Sequence, residues 1–317
     1  MRNKKVLITG GAGFIGSNLA DELARENDVV ILDDLSSGRI ENIKELLKND
    51  NVRFIKGSIT DLNLLQESFT GIDYVFHQAA IPGVPDSIKD PCKSNSVNIN
   101  GTLNVLIAAR DNGVKKLIFA TSCAVYGDST VPPISETAQP DPGSPYAVAK
   151  LACEYYCSVF NKLFNLPSAS LRYFNVYGPR QNPDSEYAAV IPKFIVKALS
   201  CESPVIYGDG LQTRDFVFVK DVVRANIVAA ESRETGIFNI GSGRGISINE
   251  LAATVISLTG KNIGLKYAPV REGDIKYSHA SIEKARKINY KPEYSLEKGL
   301  KETTGWFKMK NIKQDYD

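Results

Sequence analysis

Thr9-Gly10-Gly11-Ala12-Gly13-Phe14-Ile15-Gly16 follows the apolar run Val6-Leu7-Ile8 and opens a helical stretch over 17–25. A second apolar run, Val29-Val30-Ile31-Leu32, comes next and ends in Asp33-Asp34. Strand, glycine triplet, helix, strand and acid in that order form one βαβ unit. Gly10, Gly13 and Gly16 permit a tight turn, close approach of a pyrophosphate to the backbone, and close packing of the helix. The helix N-terminus then offers unpaired N–H groups to an anion. A lone glycine triplet says little; this one stands in full register with its surroundings.

Asp33 falls at the end of the second strand. A carboxylate there accepts from both ribose hydroxyls and repels a 2′-phosphate, which points to NAD rather than NADP. Asp34 and the polar loop Leu35-Ser36-Ser37-Gly38-Arg39 would lie beside the adenosine. The alternation continues with a strand over 52–56, a helix over 62–69, a strand over 74–76, a helix over 97–109 and a strand over 117–119. Such alternation predicts an α/β fold: a Rossmann doubly wound parallel sheet with helices on both faces. Ligands sit outside the carboxyl ends of its strands. Phe14, Ile15, Gln78, Ala79, Ala80 and Ser122 all fall at such ends and should line one crevice with the glycines. Asn98 and Asn100 either lock its wall or touch the ligand.

A strand over 169–173 ends in Phe174-Asn175, and the alternation then stops. A loop over 178–183, a helix over 189–199, the turn Gly208-Asp209-Gly210 and a strand over 214–219 follow. Asp221 is expected to cap a helix through 230; a strand over 237–240 and helices over 248–258 and 296–307 complete the chain. We expect a dinucleotide domain over 1–175 and a smaller α/β substrate lobe over 176–317, with elements around 213–240 returning to the first domain.

The chemistry concentrates between Ser122 and Lys150. Ser144 can cap a helix and Pro145 suits its first turn. Tyr146 and Lys150, four apart, then share a face. An ammonium beside a phenol favours phenolate, so the pair reads as a general base with a lowered pKa. The rest of the composition excludes other classes. With 38 basic and 36 acidic residues the net charge is +2, and no charge pattern suggests nucleic acid or membrane surfaces. No apolar run approaches the ~18 residues of a membrane span. The N-terminus shows no signal-peptide pattern. Five scattered cysteines without a Cys-x-x-Cys pair indicate reduced thiols and a cytoplasmic protein, and two histidines argue against a zinc site. No metal is expected.

The glycine stretch, Tyr146-x-x-x-Lys150 and Leu171-Arg172-Tyr173-Phe174-Asn175-Val176-Tyr177-Gly178 together resemble an extended short-chain dehydrogenase/reductase. With Arg214-Asp215-Phe216 and Arg271-Glu272-Gly273-Asp274, the chain resembles nucleotide-sugar 4-epimerases from end to end. It is most similar to those acting on UDP-N-acetylglucosamine. The resemblance implies bound NAD, a transient 4-keto sugar and a homodimer. It implies Tyr146 as base, Lys150 as the residue that lowers its pKa and binds the nicotinamide ribose, and Ser122 as proton relay. It places Ser58, Ile59, Pro82, Tyr173 and Val176 with the cofactor. Ser58 stands where relatives usually carry Asp, and Pro82 where some carry Lys. Arg214 and Arg271 match diphosphate ligands, Asn175 a sugar-phosphate contact, Asp274 a uridine-ribose contact, and Ala189 and Val190 the substrate wall.

Ser278 matches a position that is bulky in enzymes restricted to plain hexoses and small in those that accept an N-acetyl group. It therefore implies interconversion of UDP-N-acetylglucosamine and UDP-N-acetylgalactosamine. The alternatives are UDP-glucose/UDP-galactose or UDP-glucuronate 4-epimerisation and, in another class, a non-catalytic NAD-binding regulator. The 4,6-dehydratases and UDP-glucuronate decarboxylases carry acids just after the serine, where this chain has Cys123 and Ala124. Cys123 itself reads as a buried structural thiol. Helices over 103–110 and 151–164 could pair across a dimer, or their apolar faces could be core.

Overall fold

The computed structural model describes residues 1–128, 131–183, 190–270 and 276–314. Its centre is a parallel sheet of β1 (Lys5–Thr9), β2 (Asp28–Asp33), β3 (Val52–Lys56), β4 (Tyr74–His77), β5 (Lys116–Ser122), β6 (Ser168–Tyr173) and β11 (Gly236–Ile240). The spatial order is β11-β6-β5-β4-β1-β2-β3. Chain direction across the sheet reverses between β1 and β4, which opens a crevice at their carboxyl ends. The central strands are apolar on both faces, as a sheet covered on both sides must be: Val6, Leu7 and Ile8 are fully buried.

One covering layer consists of α1 (Phe14–Leu23) and α8 (Val219–Glu231), which share a core with β1 and β6 through Leu19, Ala20, Val222 and Ala229. The other consists of α2 (Leu62–Ser68), α5 (Thr102–Asp111) and α6 (Pro145–Phe164), packed through Leu65, Val105, Cys153 and Phe160. Between β4 and α5 run two short helices, α3 (Val84–Lys89) and α4 (Pro91–Asn95), and a wide π-type turn over Ser96–Gly101. The sequence pattern predicted one helix over 97–109. The first turn of that stretch widens because Asn98 turns inward, its amide bonded both ways to Ile81 (2.8 and 3.1 Å). Asn98 therefore locks the crevice wall, while Asn100 is exposed.

A second core joins β7 (Asn175–Tyr177), α7 (Val190–Leu199), β8 (Val205–Tyr207), β10 (Phe216–Phe218), β12 (Ile246–Ser247), α9 (Ile248–Thr259) and α10 (Leu296–Gln314). Short pairs brace it: β7 with β10, β12 with β9 (Thr213–Arg214), and β8 with β13 (Lys266–Ala268). Asp221 does not cap α8. It lies one turn inside, and its carboxylate accepts from the N–H groups of Glu293 (2.9 Å) and Tyr294 (3.1 Å). The start of the stretch leading into α10 claims the carboxylate, and the α8 N-cap position is Phe218, which brings no side-chain cap. Among the described residues no helix is long and apolar enough to cross a membrane.

Candidate active site

The glycine turn is set by close contacts. Gly10 has φ +69°, and a Cβ there would lie 2.6 Å from Ala79 N; one on Gly16 would lie 2.1 Å from Gly10 O. Any side chain at either place would push the turn off the sheet or the helix off the turn. Gly13 is the N-cap of α1 and brings no side-chain cap, so the first-turn N–H groups face the crevice. Asp33, 6% exposed, is fixed by the N–H groups of Ala12 (2.9 Å) and Leu35 (2.8 Å). Burial raises its pKa, and those two N–H groups oppose the rise.

The crevice encloses about 820 Å³. Of the residues expected at the dinucleotide, Gly10, Gly13, Phe14, Ile15, Gly16, Asp33, Asp34, Ser36, Ser37, Ile59, Gln78, Ala79, Ala80, Pro82, Tyr146, Lys150 and Tyr173 line it. Four others do not. Leu35 and Gly38 support the Asp33 carboxylate, with Gly38 close enough that a Cβ would meet Oδ1 at 2.7 Å. Ser58 pairs with Thr60 (2.9 Å), and Val176 packs into the cores. Gln78 is held by Asn226 (3.0 Å) and Tyr173 (3.2 Å). Lys89 and Lys93 of the two short helices also line the crevice, which the sequence reading passed over. The signal was present: Pro85 and Pro91 at helix starts, and Asp90 accepting from Lys93 N–H (2.9 Å).

Ser144 caps α6, accepting from Ala147 N–H (3.2 Å), and Pro145 occupies the first turn. Tyr146 N–H donates to Ser87 Oγ (3.0 Å), so α3 sets where the catalytic-candidate helix begins. Further along, Glu154 is gripped by Arg172 Nε (2.9 Å) and Nη2 (2.6 Å) of β6 and by Thr121 Oγ1 (2.8 Å) of β5. Removing one partner of such a buried pair costs about 3–5 kcal/mol, so the helix is fixed firmly against both strands. The Tyr146 phenol and Ser122 face a common smaller chamber, where Ser122 acts to lower the phenol's pKa. Lys150 Nζ donates to Ala120 O (2.7 Å) and lies 5.8 Å from the centre of the Tyr146 ring.

The expected lowering of the Tyr146 pKa is not found. Burial pushes the phenol up to about 12, outweighing the lowering by Ser122. Lys150 is itself brought down to about 8 by burial, and its Nζ is turned to the end of β5. A phenolate at this site needs added positive charge or added hydrogen-bond donors.

A second chamber of about 310 Å³ adjoins the first. It brings together Ser122, Tyr146, Asn175, Arg214 and Ser278 from five separate parts of the chain, and Pro82 and Tyr146 belong to both chambers. Val190 begins α7 and does not line it. Ala189, Arg271 and Asp274 lie outside the described residues. Tyr277 and Cys123 are wall residues the sequence reading did not place there. Cys123 keeps partial exposure at the chamber wall, while its thiol is desolvated enough to be pushed up to about 12.

The profile of the NAD dependent epimerase/dehydratase family matches residues 6–241. A solved UDP-N-acetylglucosamine 4-epimerase from Methanobrevibacter ruminantium M1, in complex with UDP-N-acetylmuramic acid, is similar at 44% identity and TM-score 0.94. The match covers 98% of this chain and 100% of that one. The UDP-glucose 4-epimerase of Thermotoga maritima with UDP-glucose is similar at 40% identity and TM-score 0.91, over 97% and 99% of the two chains. A UDP-glucuronate 4-epimerase from Thermodesulfobacterium geofontis is 37% identical over 95% of each chain.

Proposed function

The chain belongs to the NAD dependent epimerase/dehydratase family, and on that premise we propose that it is a UDP-sugar 4-epimerase interconverting UDP-N-acetylglucosamine and UDP-N-acetylgalactosamine. The observation that carries the reading is the junction at Tyr146: one phenol lines both the dinucleotide crevice and the smaller chamber. The crevice fits NAD. Its glycine cradle has no room for a Cβ, and Asp33 offers an anion for the ribose diol. Gly10 to Gly16 would hold the diphosphate, Lys150 the nicotinamide ribose. NAD there supplies a reversible hydride acceptor for sugar C4.

The remaining work falls to the side chains. Tyr146 Oη takes the proton from the sugar 4-hydroxyl and returns it to the 4-keto oxygen. Ser122 Oγ hydrogen-bonds the same oxygen and relays the proton. Lys150, one turn along α6 and 5.8 Å from the centre of the Tyr146 ring, would favour the phenolate that burial disfavours once its ammonium turns from Ala120 O toward the phenol. Arg214, with Arg271, clamps the UDP diphosphate bidentately, and Asn175 reaches the sugar phosphate. Asp274 serves the uridine ribose.

Ser278, 7% exposed, supports the acetylated substrate because a small side chain leaves the chamber wall open. Exposed Val148, Tyr155, Val159 and Leu163 form an apolar stripe along α6 and support a homodimer paired through that helix. The activity is tested by proton NMR of the protein with UDP-N-acetylglucosamine, UDP-glucose and UDP-glucuronate in turn. The galacto anomer should appear at least as fast from the acetylated sugar as from UDP-glucose. Turnover of UDP-glucose alone would refute the acetamido assignment, and no turnover of any sugar would refute the epimerase.

A further inference from the structure

Asp215 joins β9 to β10 and is fully buried. Its carboxylate accepts four hydrogen bonds. Ser242 N–H and Ser242 hydroxyl reach Oδ1, both at 2.6 Å; Gly243 N–H (3.0 Å) and Ala280 N–H (3.1 Å) reach Oδ2. Its main chain is engaged as well, since Asp215 O accepts from Asn175 N (3.0 Å) and Asn175 Nδ2 (3.1 Å). One residue thus joins β7, the β9–β10 turn, the loop after β11 and the segment that follows Ser278. Three of these segments carry a wall residue of the smaller chamber: Asn175, Arg214 and Ser278.

The arrangement demands a carboxylate. All four donors are N–H or O–H, and only an acceptor with two oxygens satisfies them. An amide would turn its own N–H₂ toward at least one pair of them and leave buried donors unmatched. The approach is also close: a Cβ on Gly241 would stand 2.6 Å from Oδ2 and 3.0 Å from Ala280 Cβ. The Ser278 segment is further tied to β9 by Ser278 N–H to Thr213 O (3.1 Å) and Thr213 N–H to Lys276 O (2.9 Å). Asp215 itself does not line the chamber.

We propose that Asp215 is a positioning residue for the nucleotide-sugar chamber: it stands behind the wall and sets where Arg214, Asn175 and Ser278 stand. The inference rests on the UDP-sugar reading above for the identity of the ligand. It predicts an effect on substrate affinity more than on proton or hydride chemistry, because Ser122, Tyr146 and Lys150 belong to β5 and α6, and the hydrogen bonds of Asp215 go to other segments.

The test compares wild type with Asp215→Asn and Ser242→Ala, all saturated with NAD. Initial rates on UDP-N-acetylglucosamine give KM and kcat, and calorimetric titration with UDP alone gives Kd. Asp215→Asn should raise both KM and the UDP Kd about tenfold, the equivalent of one buried hydrogen bond lost, with kcat within about threefold. Ser242→Ala, which removes the hydroxyl donor to Asp215 together with the acceptor for Arg244 N–H (3.3 Å), should move both constants in the same direction by a smaller factor. A role confined to stability would lower the melting temperature and leave KM and Kd of the folded protein at wild-type values; that result overturns the inference. If Asp215→Asn does not fold, unchanged constants in Ser242→Ala overturn it alone. A wild type that binds UDP but epimerises no UDP-sugar refutes the proposed function and leaves the UDP Kd to judge Asp215. A wild type that binds no UDP overturns both.

Discussion

His77 ends β4 inside the sheet, fully buried, with Thr9 Oγ1 2.7 Å from Nδ1 and Thr102 Oγ1 2.9 Å from Nε2. Thr102 spends its proton on Asn98 O (2.6 Å), so its oxygen must accept from Nε2–H. Nδ1 is then the acceptor for the Thr9 hydroxyl, whose oxygen receives Ala79 N–H (3.3 Å). The neutral ring satisfies every partner, and a second ring proton would meet a donor. Desolvation and the nearby Lys150 charge accordingly bring the His77 pKa from 6.5 to about 3. A histidine with a depressed folded pKa gives stability that is fully present above 6.5. That stability is lost as the pH falls toward 3, because only the unfolded chain takes the proton. Between pH 7 and pH 5 the loss is about 2 kcal/mol, and by pH 4 about 3 kcal/mol.

The assay is urea unfolding at fixed NAD concentration across pH 4–7, for wild type and His77→Gln. The variant starts lower in stability, but the acid loss belonging to position 77 disappears, so the gap between the two proteins should narrow by about 2 kcal/mol from pH 7 to pH 5. The chain has only two histidines, so proton–nitrogen correlation spectra can follow each ring. One should keep a neutral Nε2–H form at pH 5. Parallel stability curves, or two rings that both protonate near pH 6.5, would refute the tautomer and the burial argument together.

Three other outcomes follow from the site. Tyr146→Phe should reduce turnover on the order of 10²- to 10⁴-fold with UDP affinity unchanged, measured by NMR rates and calorimetry; turnover within tenfold of wild type would remove Tyr146 as the base. Ser278→Tyr should lower the ratio of kcat/KM for UDP-N-acetylglucosamine over UDP-glucose by about tenfold or more, read from competing-substrate rates. An unchanged ratio would mean the acetamido group lies elsewhere. Replacing both Tyr155 and Leu163, 64% and 70% exposed, by Glu should convert a dimer to a monomer by light scattering while melting temperature barely moves. A monomeric wild type would refute the pairing.

Much of the architecture was legible because its causes are local. Apolar β-rich runs alternate with helical periodicity, so β3 occupied the predicted 52–56 and β6 fell within one residue of the predicted start. The cap and first turn of α6 were written in Ser144-Pro145. The glycine turn was readable for the same reason, since the backbone conformation it needs admits few residues. Where the reading failed, long-range partners decided. Asp221 looked like a cap and became a clamp on 293–294, because that backbone arrives from 72 and 73 residues away. The helix expected over 97–109 begins as a π-type turn because Ile81 claims Asn98.

The sequence by itself determined the parallel sheet, the dinucleotide crevice and the residue types at its rim, since each depends on patterns spanning a few tens of residues. Charge states and the second chamber were decided only by the tertiary structure. Tyr146 with Lys150 one turn along reads as an activated phenol, yet burial depth sets the phenol at about 12 and turns the ammonium to Ala120 O. The chamber wall is assembled from Pro82, 122–124, Tyr146, Asn175, Arg214 and 277–278, and we assign its rear support to one carboxylate at 215. Spacing along the chain carries the periodicity of strands and helices. It carries neither desolvation nor the meeting of segments a hundred residues apart, and those two quantities are what make this crevice a site.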